Sequence, residues 1–224
     1  MYRVLQRDKI HKARLPLLNE KDLVKKIEKV IREKKEKGNR PSFLRYTHAH
    51  LNLAHKGFEE IWGNWYTGQT PPKLEVDLLC IFEDVQKRID DALIVAVEIK
   101  YFRDASKSSF YQGLDQVLAF SLFGFDGLSL WHLFSGDAEE NVIKRHWNAV
   151  EEITQGYKLP LFYLAAKVGN DLEFSSYSPA VATGGVDYYL KWMWDYSRDN
   201  RNPLLQSDEV KRRRRTIKAM LQIP

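Results

Sequence analysis

Two stretches of the chain alternate apolar and polar positions with period two, the repeat of a β-strand. In Lys73-Leu-Glu-Val-Asp-Leu-Leu-Cys-Ile-Phe82, the residues Leu74, Val76, Leu78, Cys80 and Phe82 make one apolar face, and Asp77 points the other way. In Ala92-Leu-Ile-Val-Ala-Val-Glu-Ile-Lys-Tyr-Phe102, Leu93, Val95, Val97, Ile99 and Tyr101 make the apolar face, while Glu98 and Lys100 share the opposite one. A hairpin closing near Lys87 and Arg88 sets residues 77 and 98 directly opposite each other, and opposite residues share a face. A register shifted by two would keep the faces and stagger the carboxylates. The turn itself lacks the Asn-Gly or Asp-Gly pair that fixes register.

Elsewhere the period is helical. Asn19 caps a predicted helix from Glu20 to about Lys37 with Leu23, Ile27, Val30 and Ile31 on its core side, and Gly38 ends it. A second helix is expected from Ala49 to Trp65, with Leu51, Ala54, Phe58, Ile61 and Trp65 on one face and Glu59 at the border of that stripe. Ser108 or Ser109 caps a third through Phe110, Gly113, Leu114, Val117, Leu118 and Ser121, with Gln112 and Gln116 one turn apart. Gly127 to Phe134 alternates like a strand; a helix from Ala138 to Thr154, a hairpin of 159–168 with 172–176, and an aromatic helix from Val186 to Tyr196 follow.

The charged face gives these strands a chemistry. Two carboxylates side by side repel, and a half-buried pair is costly unless a cation neutralises it. Carboxylate oxygens are hard ligands, which favours Mg²⁺ or Mn²⁺ over zinc. A lysine two residues from one carboxylate can reach the same water or substrate oxygen. Metal and ammonium together suit attack on a phosphodiester, where negative charge builds on the phosphoryl oxygens.

Asp77 followed by Glu98-Ile99-Lys100 on the next strand resembles the active-site signature of the PD-(D/E)xK nuclease superfamily, over roughly His48 to Phe134. Val76 stands where the signature's name has proline. The resemblance implies a restriction-endonuclease-like α/β core: a central mixed β-sheet flanked by α-helices, here with added N- and C-terminal helices. It implies that Asp77, Glu98 and the Ile99 carbonyl bind a divalent metal, and that Lys100 positions or activates water. It also implies a glutamate from a preceding helix, for which Glu59 is the candidate, and a glutamine near the lysine, for which Gln116 is the candidate. Gln116 is followed four residues later by Phe120 where RecB-like members carry tyrosine.

Net charge sharpens the picture of a partner. Residues 1–50 hold 15 Lys and Arg against 6 Asp and Glu, residues 198–224 hold 8 against 3, and the middle holds 12 against 21. Basic ends around an acidic middle suit phosphate contacts flanking metal-binding carboxylates; solvated helix surfaces are the plainer reading. Candidate nucleic-acid contacts are Lys25, Lys26, Lys29, Arg103, Lys107, Gln112 and the run Arg212, Arg213, Arg214, Arg215. The six histidines show no metal-ligand spacing. A single cysteine excludes an internal disulfide and an iron–sulfur cluster. No apolar run approaches the ~20 residues of a membrane span, and none of signal-peptide length opens the chain. The expectation is a soluble intracellular protein, in cytoplasm or nucleoid, divided into a basic helical extension (1–47), a nuclease-like domain (48–197) and a basic tail or helix (198–224). Its expected activity is metal-dependent hydrolysis of DNA, with branched or repair intermediates as candidate substrates and a second copy of the chain as a candidate partner. The alternative is a non-catalytic DNA-binding protein, or a subunit of a repair complex, on the same fold.

Overall fold

The computed structural model describes residues 19–36, 41–53, 75–83, 92–104, 108–169 and 171–223, with the side chains of 35 and 36 excepted. Seven strands form a single open sheet in sequential order: β1 (Leu44–Asn52), β2 (Glu75–Glu83), β3 (Ala92–Phe102), β4 (Gly127–Ser135), β5 (Leu161–Val168), β6 (Glu173–Ser178) and β7 (Ala182–Gly185). The first three run antiparallel, β3, β4 and β5 are parallel neighbours, and β6 and β7 return antiparallel. The two parallel steps need helical crossovers, supplied by α2 (Leu114–Phe120) and α3 (Glu140–Gly156).

Helices cover both faces, which is why β3 and β4 are buried almost throughout. On one face α1 (Glu20–Glu36) and α4 (Val186–Asp199) pack Leu23, Ile27, Tyr189 and Met193 over Leu78, Val95, Val97 and Ile99. On the other, α2, α3 and the C-terminal α5 (Asp208–Met220) pack Val117, Ile143 and Ile217 over Ile94, Ala96 and Leu130. Glu98 and Lys100 belong to this second face.

The N-terminal helix forms where expected, with Asn19 Oδ1 accepting from the Asp22 amide at 2.8 Å. Ala49 to Asn52 are not the start of a helix. They complete β1, with Ala49 opposite Leu78 and Leu51 opposite Val76. The ladder to β2 decides the conformation there against a helical spacing of apolar residues; Leu53 follows in a turn, and the rest of that predicted helix, Glu59 included, lies outside the described residues. The third helix begins four residues later than its leading apolar residue suggests, because Gly113 takes φ +80 and interrupts the path. Within the basic segment 198–224, Arg198 and Asp199 end α4, and a 3₁₀ turn (Pro203–Gln206) leads into α5, docked on the sheet. The expected divisions after residues 47 and 197 cut through β1 and α4. Among the described residues no helix is long and apolar enough to cross a membrane.

Candidate functional site

The β2–β3 ladder runs from Glu83 opposite Ala92 to Leu78 opposite Val97, and in that register the next step sets Asp77 beside Glu98. The ladder stops there. The Ile99 amide donates to Asp77 Oδ2 at 2.9 Å, and the Tyr101 amide donates to Glu20 Oε2 at 3.0 Å. The strands therefore fork at the point where their charged residues face each other, and two carboxylates replace strand carbonyls as acceptors.

Inside the fork Glu98 is 1% exposed, and neither of its oxygens accepts a hydrogen bond of normal geometry. Its countercharge is Lys100, whose Nζ lies 2.6 Å from Oε1 and 3.6 Å from Glu20 Oε1. Burial, reinforced by the Asp77 charge, pushes the Glu98 carboxyl well above the ordinary range, and Lys100 only partly offsets this. Burial also raises Asp77, against the pull of the Ile99 amide and Lys100. For Lys100 burial acts downward but is outweighed by Glu98, Glu20 and Asp77, which hold it as an ammonium. Three carboxylates share one lysine, and an additional cation would relieve them.

Beside this group, His50 on β1 meets Glu75 on β2, Nδ1 to Oε1 at 2.7 Å, and one ligand atom from each of His50, Glu75 and Asp77 fits within 4.8 Å. His50 takes a left-handed φ of 56, rare for a residue other than glycine. Opposite, Gly113 closes the site from the α2 side. A Cβ there would lie 3.0 Å from Glu98 Cγ and 3.1 Å from Lys100 Cε, so glycine is required both by its φ of +80 and by the close approach.

The turn before α2 is held from beneath by a buried histidine. His132 Nε2 lies 2.9 Å from the Gln112 carbonyl, and the Tyr163 hydroxyl lies 3.0 Å from Nδ1. A carbonyl can only accept, so Nε2 carries the proton and Nδ1 accepts from Tyr163. Complete burial pushes His132 down to about 3, leaving it neutral at physiological pH. Above the turn a cavity of about 830 Å³ opens beside Lys100, with Gln112 and Gln116 in its wall.

Of the residues singled out by sequence, Asp77, Glu98, the Ile99 backbone, Lys100, Gln112 and Gln116 come together around the fork. Glu59 and Lys107 lie outside the described residues, and the helix carboxylate that reaches Lys100 is Glu20. Lys25 and Lys29 are exposed on α1, which covers the opposite sheet face, and Lys29 faces Glu33 at 3.8 Å. Arg103, also exposed, immediately follows β3. The arginine run requires a correction: it is not four equivalent solvent-facing charges. Arg213 is 5% exposed, donates to the Leu122 carbonyl at 2.9 Å and pairs with Glu209. Arg214 grips the buried Asp126 through Nε at 2.9 Å and Nη2 at 3.0 Å. Arg212 and Arg215 alone of the four are exposed.

Glu20, His50, Glu75 and His132 join the site without having stood out in the sequence. Glu75 and Asp77, two apart on one strand, offer a signal for the second acidic position; the partners on other elements offer none, because their meeting depends on β1 pairing and on where α1 begins. No protein-family model, curated protein or solved structure matches the chain.

Proposed function

We propose that the chain is a divalent-metal-dependent deoxyribonuclease, with Asp77, Glu98 and Lys100 at its centre. The observation that carries this reading is Glu98: a carboxylate 1% exposed, without a normal hydrogen bond, beside a second carboxylate and 2.6 Å from a lysine. A buried acid so poorly satisfied fits a cation site, and the oxygen-only donors Asp77 and Glu98, with the Ile99 carbonyl between Glu98 and Lys100, suit Mg²⁺ or Mn²⁺. When bound, that ion supplies a water of lowered pKa and neutralises charge on the phosphoryl group. Lys100, held as an ammonium, donates to a phosphoryl oxygen or orients the attacking water. Glu20 fixes both Lys100 and the Tyr101 amide, and the Asp77 bond to the Ile99 amide holds the fork open. In the reaction water oxygen bonds to phosphorus, the bond from phosphorus to one sugar oxygen breaks, and the water proton passes by way of solvent to the departing oxygen.

The order helix, three antiparallel strands, helix, parallel strand, with Asp77 on the second strand and Glu98-Ile99-Lys100 on the third, supports this reading. On this reading β1 is a strand that the sequence pattern concealed, and Glu20 takes the part expected of Glu59. The test is incubation of the purified chain with labelled branched, single-stranded and duplex DNA, with Mg²⁺, with Mn²⁺ and with chelator. Cleavage that requires the metal is expected. Tight DNA binding without cleavage under any of these conditions would replace the nuclease by a non-catalytic DNA-binding protein.

A further inference from the structure

The cavity beside Lys100 is poorly suited to hold a phosphate along its whole length. Its charged lining is Lys100, Glu20 and Asp115, and the ammonium is already shared between Glu98 and Glu20. An anion moving away from Lys100 meets net negative charge. The rest of the wall is of a different kind: Tyr111, Leu114 and Leu118 give apolar surface, and Gln112 and Gln116 give amides. Tyr111 is 58% exposed and stands edge-on to Phe110, itself 36% exposed, with ring centroids 5.4 Å apart. The exposed Tyr111 ring in the cavity wall, with Phe110 beside it, is surface that water solvates poorly.

We infer that this cavity receives one unstacked nucleobase of the substrate, with Tyr111 against its face and the Gln112 and Gln116 amides at its edge. A nucleobase is neutral, which the charge of the lining permits. Its flat face stacks on an aromatic ring, and its edge needs both donors and acceptors, which a primary amide supplies together. A base inside an intact duplex is stacked on both sides and cannot present a face to Tyr111. The substrate class is therefore DNA with an unpaired nucleotide next to the cleaved phosphate: a single strand, a flap or a junction. The cavity adjoins Lys100 and the Gly113 turn, so a base seated there sets its own phosphate toward the fork.

This inference rests on the nuclease reading, and the experiment separates the two. Fluorescein-labelled 20-mers, single-stranded and as blunt duplex, are titrated with the full chain in Ca²⁺, and cleavage is followed in parallel with Mg²⁺ and Mn²⁺. The wild type should favour the single strand. Tyr111→Ala should weaken single-strand binding on the order of tenfold and leave duplex binding unchanged, while Tyr111→Phe, which keeps the ring, should bind as wild type does. Equal single-strand affinity for wild type and Tyr111→Ala would overturn the inference, as would a loss in Tyr111→Phe as large as in Tyr111→Ala, or no DNA binding at all. Ring-dependent single-strand binding without cleavage in either metal would leave the base pocket standing and remove the nuclease. Cleavage indifferent to Tyr111 on every substrate would do the reverse.

Discussion

Asp126 and Glu98 are both 1% exposed carboxylates beside the central strands, and their surroundings are opposites. Asp126 receives the Ile94 amide at 2.9 Å and both arms of the Arg214 fork, and Arg201 Nη1 stands 3.7 Å away. Its main chain is used as well, since the Asn202 amide donates to the Asp126 carbonyl at 2.8 Å. Burial still pushes its carboxyl upward, but Arg214 and the Ile94 amide pull against it. Glu98 has a second acid beside it, one shared lysine, and no normal hydrogen bond. A buried charge fully met by fixed partners locks elements together. One left short of partners within reach of a cavity is what the proposed cation site calls for.

The largest expected effect breaks the fork. Asp77→Ala or Glu98→Ala should reduce metal-dependent cleavage by at least on the order of 10³-fold, while circular dichroism and DNA binding stay near wild type. Lys100→Ala should lower kcat far more than it raises KM, because the ammonium acts on charge that develops in the transition state. Either carboxylate variant cutting DNA at wild-type rate would put the chemistry elsewhere; a change confined to KM would make Lys100 a phosphate anchor.

Breaking the Asp126 cluster should cost stability instead. Arg214→Met leaves a buried carboxylate without its main partner, a loss of about 3–5 kcal/mol, or a fall in Tm of roughly 6–20 °C for a domain of this size. Cleavage per folded molecule at 25 °C should be unchanged. Specific activity that falls while Tm holds would mean that α5 serves the site rather than the fold.

Much of this contrast is legible in the chain, and the unread part has a physical cause. The alternation in 74–82 and 93–101 is enough for strand identity and the charged face but not for register, since a shift of two residues keeps the same faces and the turn residues do not choose between the pairings. The helical spacing of Leu51, Ala54, Phe58, Ile61 and Trp65 misleads at its start, because for Ala49 to Asn52 strand or helix is decided by hydrogen bonds to β2, which no local pattern contains. In the arginine run, helical geometry turns Arg213 and Arg214 inward and Arg212 and Arg215 outward, but nothing in Lys-Arg-Arg-Arg-Arg marks which side faces the protein. Glu20 is legible as a first-turn acid of α1, a common helix feature; its meeting with Lys100 and the Tyr101 amide depends on how α1 lies across the sheet. The Asp126 partners come from residues up to 88 positions away, a separation over which sequence offers no pairing signal.

A smaller effect of opposite sign sharpens the comparison. In the metal-free protein Glu98→Gln should raise Tm by a few degrees, since it puts a neutral amide where burial and the Asp77 and Glu20 carboxylates disfavour a charge, and roughly 1 kcal/mol is worth 2–4 °C here. The pH dependence follows from the raised carboxyl. Between the ordinary carboxylate pKa and its elevated folded value, the native state binds more protons than the unfolded chain, so stability falls as pH rises through that window. Glu98→Gln should flatten that decline, and Mg²⁺ should stabilise the wild type but not the variant. A variant less stable than wild type at neutral pH without metal would mean that the Lys100 pair outweighs the repulsion.

The smallest effect concerns the two arginines that α5 leaves in solvent. Arg212 and Arg215 are exposed, whereas their neighbours Arg213 and Arg214 are committed to Leu122, Glu209 and Asp126. Changing all four would confuse phosphate contact with unfolding, so the informative variant is Arg212→Ser with Arg215→Ser. If both touch phosphates, the slope of log affinity against log salt on duplex DNA should become shallower by about 1.8, or about 0.9 for each phosphate no longer neutralised. Binding to all sequences should weaken alike, because phosphate contacts position the protein without reading bases. Tm and turnover at saturating DNA should hold, unlike the Tm of Arg214→Met. Titration of wild type and the double variant across several salt concentrations measures the slope directly. An unchanged slope would assign the outer arginines to solvent or to a protein partner, and would leave the grip on DNA to the groups around the β2–β3 fork.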